Sequence, residues 1–576
     1  MLRVESGPAA VAGSGGDPVM RTIKLALVLL LAICAWSAAA SASAAPRPLP
    51  PLTPSKHDAL FWALERGHLS ESQYALQRAR SLFALDRVRA EFGHVARADP
   101  RSATFVLRDL LARRRFLTGA ERAQAKAILS RPDGVPTFFG EPSWDFDAIP
   151  QSECEGGRPL CFHWDDNPTN GDSPPAADTN PSNGIPDQID RTIAVLDNVW
   201  DTETGALGYR QPLDDSATTV NDGGGPELDI YLADIGSIGL FGYCTSDDPQ
   251  AFTFSAPWAV SAYCMLDDDY SQAQYGFGQT PQEFLEVTAA HEFFHAVQFA
   301  YDWFEDIALM EGTAMWMEGE VYPDVIDRIN YLNRSALSRP GVPLDTGARG
   351  FEYGSWLFWR FLTEKVFAND PTIVRDIWER ADGGPSPAFG DEYSFKAVRR
   401  ALAANGHDFR NTFARFGWTN DLRDYSEASL GYPVVPLAGK WHLDSNRFST
   451  GWQTFRLRHL ATGFYRLRPA NEAPQDAELH LNVHLPGPAT NPAATAVVYP
   501  KAGPREVHPI ALDGNGNGHI ALEFGGSQVW KVDLVLSNGS LRFSCPAKDF
   551  QESVYSCGGL PKDDFRAYRF RARLTG

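Results

Sequence analysis

The chain has 576 residues, 43% hydrophobic and 12% aromatic, with 52 Lys/Arg against 72 Asp/Glu and a formal net charge of -20. That much apolar material can bury sizeable cores, which excludes wholesale disorder, and the length suits about three domains. The acidic balance argues against a nucleic-acid partner, because gripping phosphates requires an excess of Lys and Arg.

Residues 1–45 carry an address. From Met20, the expected start, the chain reads "MRTIKLALVLLLAICAWSAAASASAAPRP": Arg21 and Lys24 are the positive region, Leu25 to Trp36 the apolar region, and Ala42-Ser43-Ala44 a small-residue cleavage site. This layout predicts a secretory signal peptide cut near Ala44-Ala45, and so an extracellular or periplasmic protein. The apolar run is shorter than the roughly 20 residues a spanning helix needs, and no later segment qualifies, so no stable membrane span is expected. Ile33-Cys34 makes a poor lipoprotein signal, since Ile stands where a small residue belongs. Outside this segment Cys154, Cys161, Cys244, Cys264, Cys545 and Cys557 fall as three sequence-local couples. In an oxidising compartment they predict three disulfides, with the connectivity open. No CxxC occurs, so a thiolate zinc site is not expected.

Residues 46–136 open with the Pro-rich "PRPLPPLTP" and continue with apolar residues spaced by three and four, a helical pattern. They hold 16 Lys/Arg against 9 Asp/Glu, a surplus of seven positives on an acidic protein. A basic pro-segment docked on the following domain and a permanent helical subdomain with a solvated basic face both fit. Residues 137–435 have mixed α/β texture. "PELDIYLADI" (226–235) alternates like a half-buried strand and "SAYCMLDDDY" (261–270) reads as another, with helices expected over 281–301, 307–320 and 353–367. Residues 436–576 consist of short alternating runs, from "WQTFRLRHL" to "AYRFRARL", separated by Gly/Pro/Asn turns, and predict a β-sandwich or jelly roll. "DGNGNG" (513–518) reads as a hairpin turn there. Trp441, Trp452 and Trp530 raise glycan binding, although tryptophan in a sandwich core is the commoner use. No G-x-S-x-G elbow, P-loop or Rossmann fingerprint is found.

"VTAAHEFFHAVQFAYD" (287–302) is the stretch that carries chemistry. On a helix His291 and His295 lie one turn apart on one face, and neutral imidazole is a good zinc ligand. Glu292, about 100° further round, can reach a water on the same metal and serve as general base without ligating. Catalytic zinc needs a third protein ligand and an open fourth position. "DIALMEGTAMWMEGE" (306–320) offers Glu311, 16 residues after His295, and Glu318, two turns beyond on the same face. Carboxylates among Met, Ala and Trp are costly to bury unless paired or metal-bound. A second motif, "DTNPSNGIPDQID", lines up Asp178, Asn180, Asn183, Asp187 and Asp190 around a Gly turn. Oxygen ligands at alternate positions suit calcium, but the EF-hand Glu at position 12 is missing and an Asx/Pro turn leading into a helix fits equally.

HEFFH followed by MEGTAMWME resembles the gluzincin metallopeptidases of the thermolysin and aminopeptidase-N type. With "SNGIPDQID" and "WMEGEVYPD" it looks closest to largely uncharacterised secreted bacterial metalloproteases, over about residues 55–370. The resemblance implies an α+β zincin-like metallopeptidase domain within residues 137–435, one catalytic zinc on His291, His295 and Glu311, and Glu318 as outer partner or substitute ligand. It also makes Tyr353, in "FEYGSWLFWRFL", the oxyanion donor; a packed core tyrosine is the bland alternative. Three departures stand out. The His295–Glu311 interval is shorter than in thermolysin or aminopeptidase N. Met315 occupies the place of thermolysin's orienting Asp, leaving Asp302 or Glu318 to support the histidines. No GAMEN motif appears, which favours endopeptidase over aminopeptidase action. The expected function is a secreted zinc metalloendopeptidase acting on proteins or peptides. A catalytically silent extracellular binding or adhesion protein, its metal structural or absent, is the alternative, and a zinc hydrolase of non-peptide substrates a third reading.

Overall fold

Runs such as Leu228-Asp-Ile-Tyr-Leu-Ala and Tyr263-Cys-Met-Leu-Asp combine aliphatic and aromatic residues with too few breakers to turn, and both become strands. The computed structural model describes residues 52–53, 57–97, 100–132, 151–154, 158–169, 171–216, 223–248, 258–382, 392–470, 473–545 and 553–575. The leader, with its Met20 start and cleavage site, lies outside the described residues. The fold is α+β. Five strands form a first sheet: β1 (Gln151–Cys154), β2 (Leu160–Trp164), β3 (Leu228–Ala233), β4 (Gly242–Thr245) and β5 (Tyr263–Asp267). Their order is β1-β2-β3-β5-β4, with β2, β3 and β5 parallel and antiparallel strands at both edges. Alternation in "PELDIYLADI" predicts a half-buried strand, yet all six residues of β3 are buried. The polar member, Asp229, turns inward to Arg131, which also meets Asp215 (2.6 Å) and Asp247 (3.1 Å).

Arg131 follows the helical segment, whose α1 (Glu71–Phe83) starts at a Ser70/Gln73 capping box and packs on α2 (Ala103–Arg113). Leu76, Phe105 and Leu110 of these helices share one core with Phe162, Ile230 and Leu266 of the sheet. Further on, α3 (Asp187–Trp200) runs into a π-helical turn, Asp201–Ala206. The long α4 (Pro281–Asp302) begins with a Thr280/Glu283 capping box and a proline in its first turn. After a short turn α5 (Ile307–Val321) starts at Asp306, whose carboxylate accepts from the Ala308 amide. The helix expected over 353–367 is instead broken into Phe351–Gly354, Trp356–Phe361 and a π-helical turn, Leu362–Val366. At the break Gly354 lies so close to the Arg334 carbonyl that a Cβ would lie 2.4 Å from its oxygen.

The C-terminal strands are β6 (Gly439–Leu443), β7 (Gln453–Leu457), β8 (Ala461–Pro469), β9 (Glu478–His484), β10 (Pro492–Pro500), β11 (Glu506–Pro509), β12 (Asn517–Glu523), β13 (Val529–Asn538), β14 (Phe543–Ser544), β15 (Leu560–Pro561) and β16 (Arg566–Thr575). They make a five-stranded sheet, β11-β10-β13-β8-β6, and a four-stranded one, β12-β9-β16-β7. Inward residues of both sheets, among them Leu467, Leu481, Leu534 and Phe570, enclose one apolar core. The 513–518 turn closes through the Gly516 amide and Asp513 carbonyl and is flanked by an antiparallel bridge between Leu512 and Gly518, as a hairpin turn is, although β11 and β12 on either side belong to different sheets. Disulfides join Cys154–Cys161, Cys244–Cys264 and Cys545–Cys557; the first two lie across β1/β2 and β4/β5. No helix among the described residues is long and apolar enough to cross a membrane.

Candidate metal centre

From Phe284 to Asp302 nearly every residue of α4 is buried, so the two histidines project into a dry interior. His291 Nε2 lies 3.1 Å from Glu311 Oε2, and His295 Nε2 lies 3.7 Å from the same oxygen. Three ligands about 2.0–2.1 Å from a tetrahedral zinc stand roughly 3.3 Å apart. The observed spacings bracket that value, and one donor atom of each residue lies within 4.8 Å of the others. Glu311 is fully buried and His295 1% exposed. Two imidazoles and a carboxylate, brought together with His291 still 8% exposed, are a donor set that could hold a divalent metal ion.

The outer nitrogens are anchored. His291 Nδ1 is 2.8 Å from Glu318 Oε1, and His295 Nδ1 is 2.8 Å from Gln298 Oε1. Both partners at Nδ1 are acceptors, so each Nδ1 carries a proton and donates outward, which leaves Nε2 as the nitrogen each ring turns toward Glu311. Gln298 is itself oriented, donating through Nε2 to the Met310 carbonyl (2.9 Å) and Thr313 Oγ1 (3.1 Å). Trp378 Nε1 donates to Thr313 from the far side. Asp302, the other expected support, does not serve the histidines through any described hydrogen bond: its Oδ1 accepts from the Phe304 amide in the turn after α4. Tyr353 donates to Glu311 Oε1 at 3.0 Å, so its hydroxyl here engages a ligand candidate and is not pointed at an open coordination place.

Glu292 stands on the cleft side, 7% exposed beside His291 at 8%, and accepts from Thr104 Oγ1 at 3.3 Å. Burial pushes its carboxyl up, against the pull of His295 and His291. Burial likewise opposes the charge on Glu311, but the bonds to both histidines outweigh it and hold the carboxyl at about 2. Glu318, where burial wins, is pushed up to about 7. Burial disfavours the charged form of His291, yet its bonds to Glu311 and Glu318 lift it well above the usual imidazole range. Three buried acids thus face two imidazoles, an imbalance that a divalent cation would offset.

The site opens on a cleft of about 230 Å3 whose lining includes Arg101, Phe241, Gly242, Thr288, Tyr331 and Tyr353. Met315 lines it too, and supplies no carboxylate for the histidines. Edge strand β4 forms one wall so closely that a Cβ on Gly242 would sit 2.7 Å from Glu292 Cγ and 2.9 Å from Thr288 Cγ2.

Sequence reasoning missed three contributors. Gln298 sits three residues after His295 on one helix face, a spacing that could have flagged it. Thr104 comes from the helical segment and gave no signal. Glu203, in the π-helical turn, is fully buried with neither carboxylate oxygen hydrogen-bonded; burial holds it well above the carboxylate range against the opposing pull of His291. Residues 178–190 form a hydrogen-bonded turn. Asp178 accepts from the Asn183 and Gly184 amides (3.0 and 2.9 Å), and Asp187 from Thr179 and Asn180 (2.9 Å each). Asn183 accepts from Ile185 and donates to Asp190. Several of the oxygens considered for calcium brace a turn into α3, while Asp190 Oδ2 is buried with no hydrogen-bond partner among the described residues. Trp441 packs against Phe455 and Phe570 in the C-terminal core, while Trp452 lies just before β7 and Trp530 on β13, each with at least one cation over its ring. Neither a protein-family model nor a curated protein matches the chain.

Proposed function

We propose that the chain is a zinc-dependent metalloendopeptidase of gluzincin type, exported to an oxidising compartment. The observation that carries this is the convergence of His291 Nε2, His295 Nε2 and Glu311 Oε2 beside Glu292 in the wall of an open cleft. Bound there, zinc would act as Lewis acid and lower the pKa of a water to about 7. Glu292, kept from solvent and held by Thr104, accepts the proton of the attacking water and returns it to the leaving amine. Among the described residues strand β4 pairs only with β5, and on its other side the Cys244 amide donates to Thr104 Oγ1 (3.0 Å), so Thr104 is held between β4 and Glu292. Tyr353 lines the cleft and becomes the donor to the oxyanion once its hydroxyl leaves Glu311. Three disulfides support the oxidising compartment.

The test is metal analysis together with casein digestion. One zinc per chain is expected, and His295→Ala should lose both metal and hydrolysis. Glu292→Gln should keep the zinc while turnover falls about 100- to 10,000-fold. Casein cleaved by Glu292→Gln as fast as by the parent would refute the general-base assignment.

A further inference from the structure

We propose that Asp234, Asp267 and Asp268 form a second cation site, for a hard divalent ion of calcium type, at the carboxyl ends of β3 and β5. The two strands are parallel neighbours with Ala233 in register with Asp267, so Asp234 and Asp268 leave the sheet side by side. One carboxylate oxygen from each of the three acids lies within 4.8 Å of the others. A calcium–oxygen bond is about 2.4 Å, so oxygens less than about 4.8 Å apart can touch one ion.

Two of the acids are set in place by neighbouring loops. Asp267 accepts from the Gly236 amide (2.6 Å) with Oδ1 and from the Tyr270 amide (2.7 Å) with Oδ2. Asp234 Oδ1 accepts from the Ser237 amide (3.0 Å) and Gln274 Nε2 (2.6 Å). Asp268 differs. It is only 7% exposed, and among the described residues no donor or cation engages its carboxylate. The main charges it feels besides the penalty of burial are acids: Asp267, Asp269, Asp234 and Asp172. A buried carboxylate facing other carboxylates is costly, and only a proton or a cation relieves it. An all-oxygen set with no His or free Cys suits a hard cation and disfavours zinc.

The ion would fasten the loops that build the cleft wall. Tyr270 donates to the Phe241 carbonyl (3.0 Å) and Tyr275 to the Leu240 carbonyl (2.5 Å), while Phe241 and Tyr275 both line the cleft. Removing the cation therefore loosens one side of the cleft without touching His291, His295 or Glu311.

The experiment takes the full chain with its zinc, dialysed free of calcium, and titrates calcium chloride while following thermal melting. A saturable rise of about 2 °C is expected at a hundredfold excess over the dissociation constant. Asp268→Asn should abolish the rise while zinc stays at one per chain, whereas Asp187→Asn, in the 178–190 turn, should keep it. Should Asp268→Asn fail to fold, Asp234→Asn and terbium luminescence sensitised by Tyr270 in the parent replace it, calcium displacing the terbium. No response to millimolar calcium, a response that survives both variants, or one lost with Asp187→Asn would overturn the proposal.

Discussion

Glu318→Gln tests the histidine support most directly. The carboxylate accepts from His291 Nδ1 at 2.8 Å through Oε1, and its Oε2 is buried with no hydrogen-bond partner. Glutamine keeps the acceptor that selects the His291 tautomer but removes the negative charge that makes the ring a stronger ligand. It also places an amide NH2 where the unpartnered oxygen lies, adding about 1–3 kcal/mol of unsatisfied donor. Outer partners of this kind are worth about 10- to 100-fold in metal affinity, or about 1.4–2.7 kcal/mol. Competition against a chromogenic chelator should therefore show zinc bound roughly 30-fold more weakly, with turnover at saturating zinc reduced by less than about tenfold. Gln298→Ala, acting on His295, should give a weakening of similar size. Zinc affinity unchanged within about twofold in Glu318→Gln would refute the reasoning, because the bond would then orient nothing.

Gly242→Ala should push Glu292 from its place, since the new methyl would meet Glu292 Cγ at 2.7 Å. We expect hydrolysis to fall about 100-fold with zinc content and far-UV dichroism unaltered; parent-like turnover would show that β4 has room to yield. Arg131→Met strands the carboxylates of Asp215, Asp229 and Asp247 and should cost about 3–5 kcal/mol in chemical denaturation. His459 governs alkaline stability. Burial opposes its charge, but Asp345 (2.9 Å) and Asp564 (2.5 Å) outweigh burial and lift the imidazole to about 9. Because the folded value is raised, its contribution is complete below the unfolded value of about 6.5 and is lost as pH climbs through about 9, in all about 3 kcal/mol. Denaturation midpoints at pH 6 and pH 10 should diverge in the parent and much less in His459→Gln; equal divergence in both would remove the role given to this imidazole.

What was legible in the chain was whatever depends on near neighbours. The i, i+4 histidines and the alternating C-terminal runs are local patterns, and each element appears within a few residues of its expected place. Glu311 was within reach because the turn between α4 and α5 is short enough to leave few ways of folding the second helix back. Contacts across long separations left no such trace. Thr104 approaches Glu292 from 188 residues away, and Arg131 finds acids on three different segments. The oxygen-rich 178–190 motif is ambiguous in sequence because alternate Asp and Asn serve a hydrogen-bonded turn as readily as a cation. The acids ending β3 and β5 look unremarkable until the parallel pairing sets them side by side. Tyr353 was found in the cleft, but its bond to Glu311 spans 42 residues and left no local trace.

The guanidinium shared by three carboxylates bears on how such a chain could be processed. A protease nicking the backbone just downstream of Arg131 would not set the first helices adrift, because that clamp and a common apolar interior would keep both pieces married. The severed product would run as two bands on a denaturing gel and as one particle in native solution, with Thr104 still resting against Glu292.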